Sequence, residues 1–126
     1  MSLTKKKTAA SVPEPYVMLD LNTSATLSCE SDAQPLSSCT WARSMNDSRE
    51  IIMIDQDGIV GQDDGETTLG GISYVEPDGL NDGKCKVRIE SMVEEDSGLW
   101  ECTLVSERGE IFTGEVNVKR KFKRTL

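Results

Sequence analysis

The 126-residue sequence contains no histidine. That removes His-based catalytic triads, histidine general bases and imidazole metal ligands. Its four cysteines form no Cys-x-x-Cys pair, which leaves little basis for a zinc site. No segment is long and apolar enough to cross a bilayer. The opening Met1-Ser2-Leu3-Thr4-Lys5-Lys6-Lys7 is followed by no apolar stretch of the secretory type. The expectation is an excised ectodomain with cloning-derived residues at Met1 and its neighbours. The native chain would then have a signal upstream and room for a membrane anchor downstream. There is no internal repeat and no convincing amphipathic helix.

Basic residues are scarce where they would matter most. Of 14 Lys and Arg, eight lie at the ends: Lys5, Lys6, Lys7, Lys119, Arg120, Lys121, Lys123 and Arg124. Residues 8–118 hold the other six against all 22 acids, a net of −16. Such a body repels nucleic-acid phosphates and anionic lipid heads, so neither nucleic acid nor direct membrane insertion is expected. The basic ends read as solvated linkers.

The chain is of one-domain length. Four cysteines in a small domain point to disulfide support and an oxidising, extracellular compartment. Asn22-Thr23-Ser24 and Asn46-Asp47-Ser48 fit the N-glycosylation pattern, which makes Asn22 and Asn46 candidate glycan sites. Alternation of apolar and polar residues marks strands at 16–21, 24–30, 38–43, 50–55, 72–75, 84–91 and 99–105, with a further strand after the Glu107-Arg108-Gly109-Glu110 turn. Residues 56–70, rich in Gly and Asp, read as a long loop. Residues 1–13 are expected to be a disordered or cloning-derived segment, 14–118 the domain, and 119–126 a basic linker.

Asp96-Ser97-Gly98 is turn chemistry, and the strand Leu99-Trp100-Glu101-Cys102 follows it. Cys29 lies upstream in Ala25-Thr26-Leu27-Ser28-Cys29, and Trp41 in Cys39-Thr40-Trp41. In the order Cys29, Trp41, Cys102 the chain resembles an immunoglobulin domain. The resemblance covers roughly residues 14–118 and implies an all-β, two-sheet antiparallel sandwich of the variable-like or intermediate set. Two departures stand out. Trp100 replaces the family's corner tyrosine, and an indole can only donate, so the corner bond is expected to differ or be absent. No basic residue lies between Arg49 and Lys84, so Asp96 is expected to lack the usual partner from strand D.

Four cysteines allow three connectivities. The resemblance places strands B and E in one sheet and C and F in the other. Cys39 shares a face with Trp41, and Cys85 with Val87 and Ile89, all expected inward. The resemblance therefore implies Cys29–Cys102 and Cys39–Cys85 bridges, with free structural cysteines and zinc as the weaker readings. The stretch from Gly79-Leu80 through Gly83-Lys84-Cys85-Lys86-Val87-Arg88-Ile89 is similar to a pattern of arthropod neuronal cell-adhesion proteins, which act in cell-surface adhesion and target recognition.

No cofactor is expected, and no enzyme activity. Asp55, Asp57 and Glu66 fall at positions 1, 3 and 12 of a calcium-loop spacing, but Ile59 and Val60 break the register at positions 5 and 6. The more informative run is Ile51-Ile52-Met53-Ile54. Alternation sends two of the four inward and two onto the outer face of strands C, C′, F and G. There they are either a covered edge or an apolar contact patch. Thr40, Ala42, Glu101 and Thr103 share that outward side. The expected function is adhesion or recognition, with a protein partner on another cell surface or a second copy of this chain. A secreted or receptor-borne immune-type ligand-binding domain is the alternative, and a contact-free spacer the third reading.

Overall fold

Each alternating run becomes a strand, and Gly- and Asp-rich turns separate them. The computed structural model describes residues 7–32, 35–45, 48–55, 58–59, 68–69, 72–75 and 79–120. In chain order the strands among them are β1 (Lys7–Ala9), β2 (Tyr16–Leu19), β3 (Ala25–Glu30), β4 (Leu36–Met45), β5 (Ser48–Asp55), β6 (Gly58–Ile59), β7 (Thr68–Leu69), β8 (Ile72–Val75), β9 (Lys84–Ile89), β10 (Gly98–Ser106) and β11 (Ile111–Arg120). They form two sheets. The front sheet runs β1-β11-β10-β4-β5-β6, with β2 also paired to β11, and the back sheet runs β3-β9-β8-β7. The strands that the sequence reading labels C, C′, F and G are β4, β5, β10 and β11.

Period-two alternation fills the space between the sheets. Leu27 and Cys29 of β3 face inward, as do Cys85, Val87 and Ile89 of β9. Cys39 and Trp41 of β4, Ile52 and Ile54 of β5, Trp100, Cys102 and Leu104 of β10, and Val116 and Val118 of β11 meet them. Trp41 is opposite Cys102 on the neighbouring strand and is fully buried.

Two disulfides cross this core, Cys29–Cys102 and Cys39–Cys85, and no cysteine is left free. Cys29 and Cys85 are register partners in the back sheet, so the two bridges stand side by side. Their Cα–Cα distances are 6.6 and 6.4 Å, against about 10 Å for sheets packed face to face. The sheets are therefore drawn together at this point, and little room remains for side chains. Gly114, opposite Cys102, fits that constraint. A Cβ there would lie 2.7 Å from Val12 Cγ2 and 3.1 Å from the Cys102 sulfur.

From Lys7 on, the segment expected to be disordered or cloning-derived over 1–13 is instead built into the fold; residues 1–6 lie outside the described residues. Lys7–Ala9 adds to β11 as a parallel strand, and the Ala10 N–H continues the pairing to the Thr113 carbonyl at 2.8 Å. Ser11 then bridges to Glu30 of the back sheet, and Val12 packs on the core over Gly114. Backbone pairing of this kind needs no apolar pattern, which is why Lys7-Thr8-Ala9 does not read as a strand. At the other end β11 runs on through Lys119 and Arg120, two residues into the expected linker.

The expected vacancy beside Asp96 is corrected as well. Arg43 of β4 takes the place of a strand-D base and ion-pairs with Asp96 Oδ1. Oδ2 accepts the Val93 N–H at 2.8 Å. The corner bond is present in altered form: Trp100 Nε1 donates to the Asp96 carbonyl at 2.9 Å. The Arg43 guanidinium lies 5.1 Å from the centre of the Trp100 ring. The ion-paired side chains keep only 13% and 6% of their surface exposed. Arg43 shares the inward parity of Cys39 and Trp41, and at the strand end that parity aims it at the turn before β10.

Candidate functional site

The outer face of the front sheet brings Met53, Thr40, Ala42, Glu101 and Thr103 of the predicted contact residues together, whereas Ile52 and Ile54 turn into the core. Register sets their neighbours. Met53, Thr40, Thr103 and Thr113 make one row across β5, β4, β10 and β11. Ala42, Glu101 and Glu115 make the next. Within β5, Ile52 and Ile54 are buried, whereas Met53 is 43% exposed. Of the two possible outward pairs, Ile52 and Ile54 are therefore inward, and Met53 of the other pair faces out; the side chain of Ile51 lies outside the described residues.

Glu101 is exposed, and Thr40 and Thr103 are half-buried. Ala42 departs from its expected role as accessible contact surface. It is only 5% exposed, because a single methyl beside the longer Glu101 is overshadowed. The sequence reading passed over Thr113 and Glu115, which complete the two rows from β11. The signal for them was the alternation Glu115, Val116, Asn117, Val118, which already separates outward from inward positions. Glu101, Thr103, Thr113 and Glu115 line an open groove together with Ala9, Ala10 and Val12.

The surface is chemically plain. Among the described residues of these two rows it offers the flexible apolar side chain of Met53, a line of hydroxyls and two carboxylates directly opposite each other. Among the described residues, no group of acidic and sulfur side chains is placed to hold a metal ion. Asp55 ends β5, but Asp57 and Glu66 of the calcium-like spacing lie outside the described residues. Candidate glycan site Asn22 is exposed, in the turn between β2 and β3 at φ 67°. Candidate site Asn46 lies outside the described residues.

Comparison with known proteins agrees with this architecture. The family model of the immunoglobulin V-set domain matches residues 12–120. No curated protein sequence matches the chain. Solved structures with the same fold are abundant. One, described as the structural basis of T cell specificity and activation by the bacterial superantigen toxic shock syndrome toxin-1, contains a chain that superposes with a TM-score of 0.65. The match covers 90% of this chain and 98% of that one at 15% identity, a likeness of fold alone.

Proposed function

Because the chain belongs to the immunoglobulin V-set family, we propose that it is an extracellular adhesion and recognition module that binds another protein through the outer face of β4, β5, β10 and β11. The observation that carries this reading is the half-exposed Met53, whose row continues across the sheet as Thr40, Thr103 and Thr113, with Glu101 and Glu115 exposed in the next row. A small apolar centre within a polar rim is the usual anatomy of a specific interface. Two disulfides beneath the sheet hold it rigid, so little ordering entropy is lost on binding.

The partner is a protein on another cell surface, a second copy of this chain included. The finer reading is a neuronal adhesion protein of the arthropod type, similar to fasciclin III. Its support is local. Gly79 and Leu80 are buried in a 3-10 turn, Gly83 takes the positive φ of 75° that favours glycine, and Cys85, Val87 and Ile89 face the core. The Cys39–Cys85 bridge completes that pattern.

Cells that display the domain test the proposal. A double variant, Glu101→Arg with Thr103→Arg, is expected to abolish cell aggregation or partner capture while far-UV circular dichroism is unchanged. Undiminished aggregation and capture by the variant would reject this face. Capture of a soluble ligand without any cell–cell aggregation would favour the secreted or receptor-borne immune-type alternative.

A further inference from the structure

Two groups of exposed large apolar side chains lie apart from Met53. In the first, Leu99, Asn117 and Tyr16 form one row across β10, β11 and β2, and the Lys119 ammonium stands 5.3 Å from the centre of the Tyr16 ring. The second is Leu21 at 43% and Val93 at 46% exposure. These two come from segments far apart in sequence that backbone bonds join. The Asn22 N–H donates to the Met92 carbonyl at 3.0 Å, and the Met92 N–H to the Thr23 carbonyl at 2.8 Å. Leu21 and Val93 each stand one residue from that junction. The Thr23 hydroxyl donates to the Asp20 carbonyl at 2.7 Å, and the Val93 N–H to Asp96 Oδ2 at 2.8 Å, so both segments are held in place.

Two side chains are far too little for a protein interface, which takes about 800 Å² from each partner. The acids that adjoin them in sequence, Asp20, Glu94 and Glu95, are all exposed, so a second copy of this acidic chain would bring like charge to the place. The cover that fits is small, uncharged and partly apolar. One attachment point for such a group lies at the junction itself. Asn22-Thr23-Ser24 is an acceptor tripeptide, and all three residues are exposed. The φ of 67° at Asn22 accounts for an asparagine there, since its side chain tolerates the left-handed region. It does not account for the apolar pair beside it. Ser24 Oγ accepts from Arg88 Nη2 at 3.2 Å, which keeps the hydroxyl of the tripeptide at the surface.

We propose that Asn22 carries an N-linked glycan whose first N-acetylglucosamine seats on Leu21 and Val93. In the transfer, Asn22 Nδ2 bonds to the anomeric carbon of a lipid-pyrophosphate-linked oligosaccharide. The bond from that carbon to the pyrophosphate oxygen breaks, the lipid pyrophosphate leaves with its electrons, and Nδ2 gives up one proton. The sugar has a C–H face and an acetyl methyl to lay on the apolar pair, hydroxyls to turn to water, and no charge to set against the acids. The proposal takes only the extracellular placement from the reading above. Leu19 pairs with Arg120, seven residues along β11 from Thr113 in the Met53 row, roughly 22–24 Å, so the glycan leaves the contact face open.

Secretion of the full chain from glycosylating cells, followed by glycopeptide mass spectrometry and NMR, tests this. The variants are Ser24→Ala, Ser24→Thr and the double change Leu21→Ser with Val93→Ser. Wild type and Ser24→Thr are expected to carry a glycan on Asn22 in most chains, and Ser24→Ala in none. Wild type is expected to show nuclear Overhauser contacts from the acetyl methyl of the first sugar to the side chains of Leu21 and Val93. The double serine variant should stay glycosylated and lose those contacts. Adhesion by Ser24→Ala should equal wild type, so a failure of this site and a failure of the contact face are read separately. A secreted, folded wild type with Asn22 bare, or a glycosylated Asn22 whose sugar makes no contact with Leu21 and Val93, would overturn the proposal.

Discussion

The two faces of the front sheet are made from residues one position apart, yet they are under opposite demands. On the inner face, Ile52, Ile54, Trp41 and Trp100 are at most 2% exposed and sit on or beside two disulfides. On the outer face, Met53, Glu101 and Leu99 remain in water. The inner face tolerates only shapes that fill it, because packed interiors have few voids. The outer face has no such constraint, so its apolar side chains are free to serve binding. Substitutions within a single strand should therefore divide cleanly between loss of stability and loss of recognition.

The largest effect is expected at Trp41. Trp41→Ala should cost about 3–5 kcal/mol in urea unfolding, the usual range for truncating a large buried aromatic. A cost below about 1 kcal/mol would erase the distinction between the faces at β4. Arg43→Ala comes next, at about 3–5 kcal/mol, because it leaves the buried Asp96 carboxylate without its cation. Arg43→Lys should recover only part of that loss, since an ammonium does not reproduce the forked guanidinium that reaches Asp96 while lying 5.1 Å from the centre of the Trp100 ring. Ile54→Ala, deep in the inner face, should cost about 2–5 kcal/mol. Trp100→Phe should cost about 1–3 kcal/mol, mainly by leaving the Asp96 carbonyl without its Nε1 donor. If Trp100→Phe instead matched wild type, the corner bond would be dispensable and packing alone would hold the start of β10.

The sandwich was legible because alternation and turn residues are local. Strand C was expected over 38–43 and β4 spans Leu36–Met45; C′ was expected over 50–55 and β5 spans Ser48–Asp55. The ends ran long because the hairpin register carries on to the Met45–Ser48 pair, which no apolar pattern announces. The Arg43–Asp96 pair was not legible, since its partners are 53 residues apart and only the packed fold brings them together. The contact face was legible in part. Parity along each strand assigned Thr40, Glu101 and Thr103 to the outside, but neighbours across strands depend on register. That is why the pairing of Thr113 with Thr103 and of Glu115 with Glu101, and the Tyr16–Leu99 row, emerged only from the folded structure, whereas Ala42 is outward as parity requires but too short to reach the surface.

The smallest expected change in stability accompanies the most telling change in function. Met53→Asp lies on the exposed side of β5, between two buried isoleucines, and should alter unfolding free energy by no more than about 0.5 kcal/mol. Cell aggregation and partner capture by this variant, measured beside its urea melt, test the central claim most directly. The account predicts a melt that overlays wild type and adhesion reduced at least tenfold. Adhesion equal to wild type with the same intact melt would contradict it.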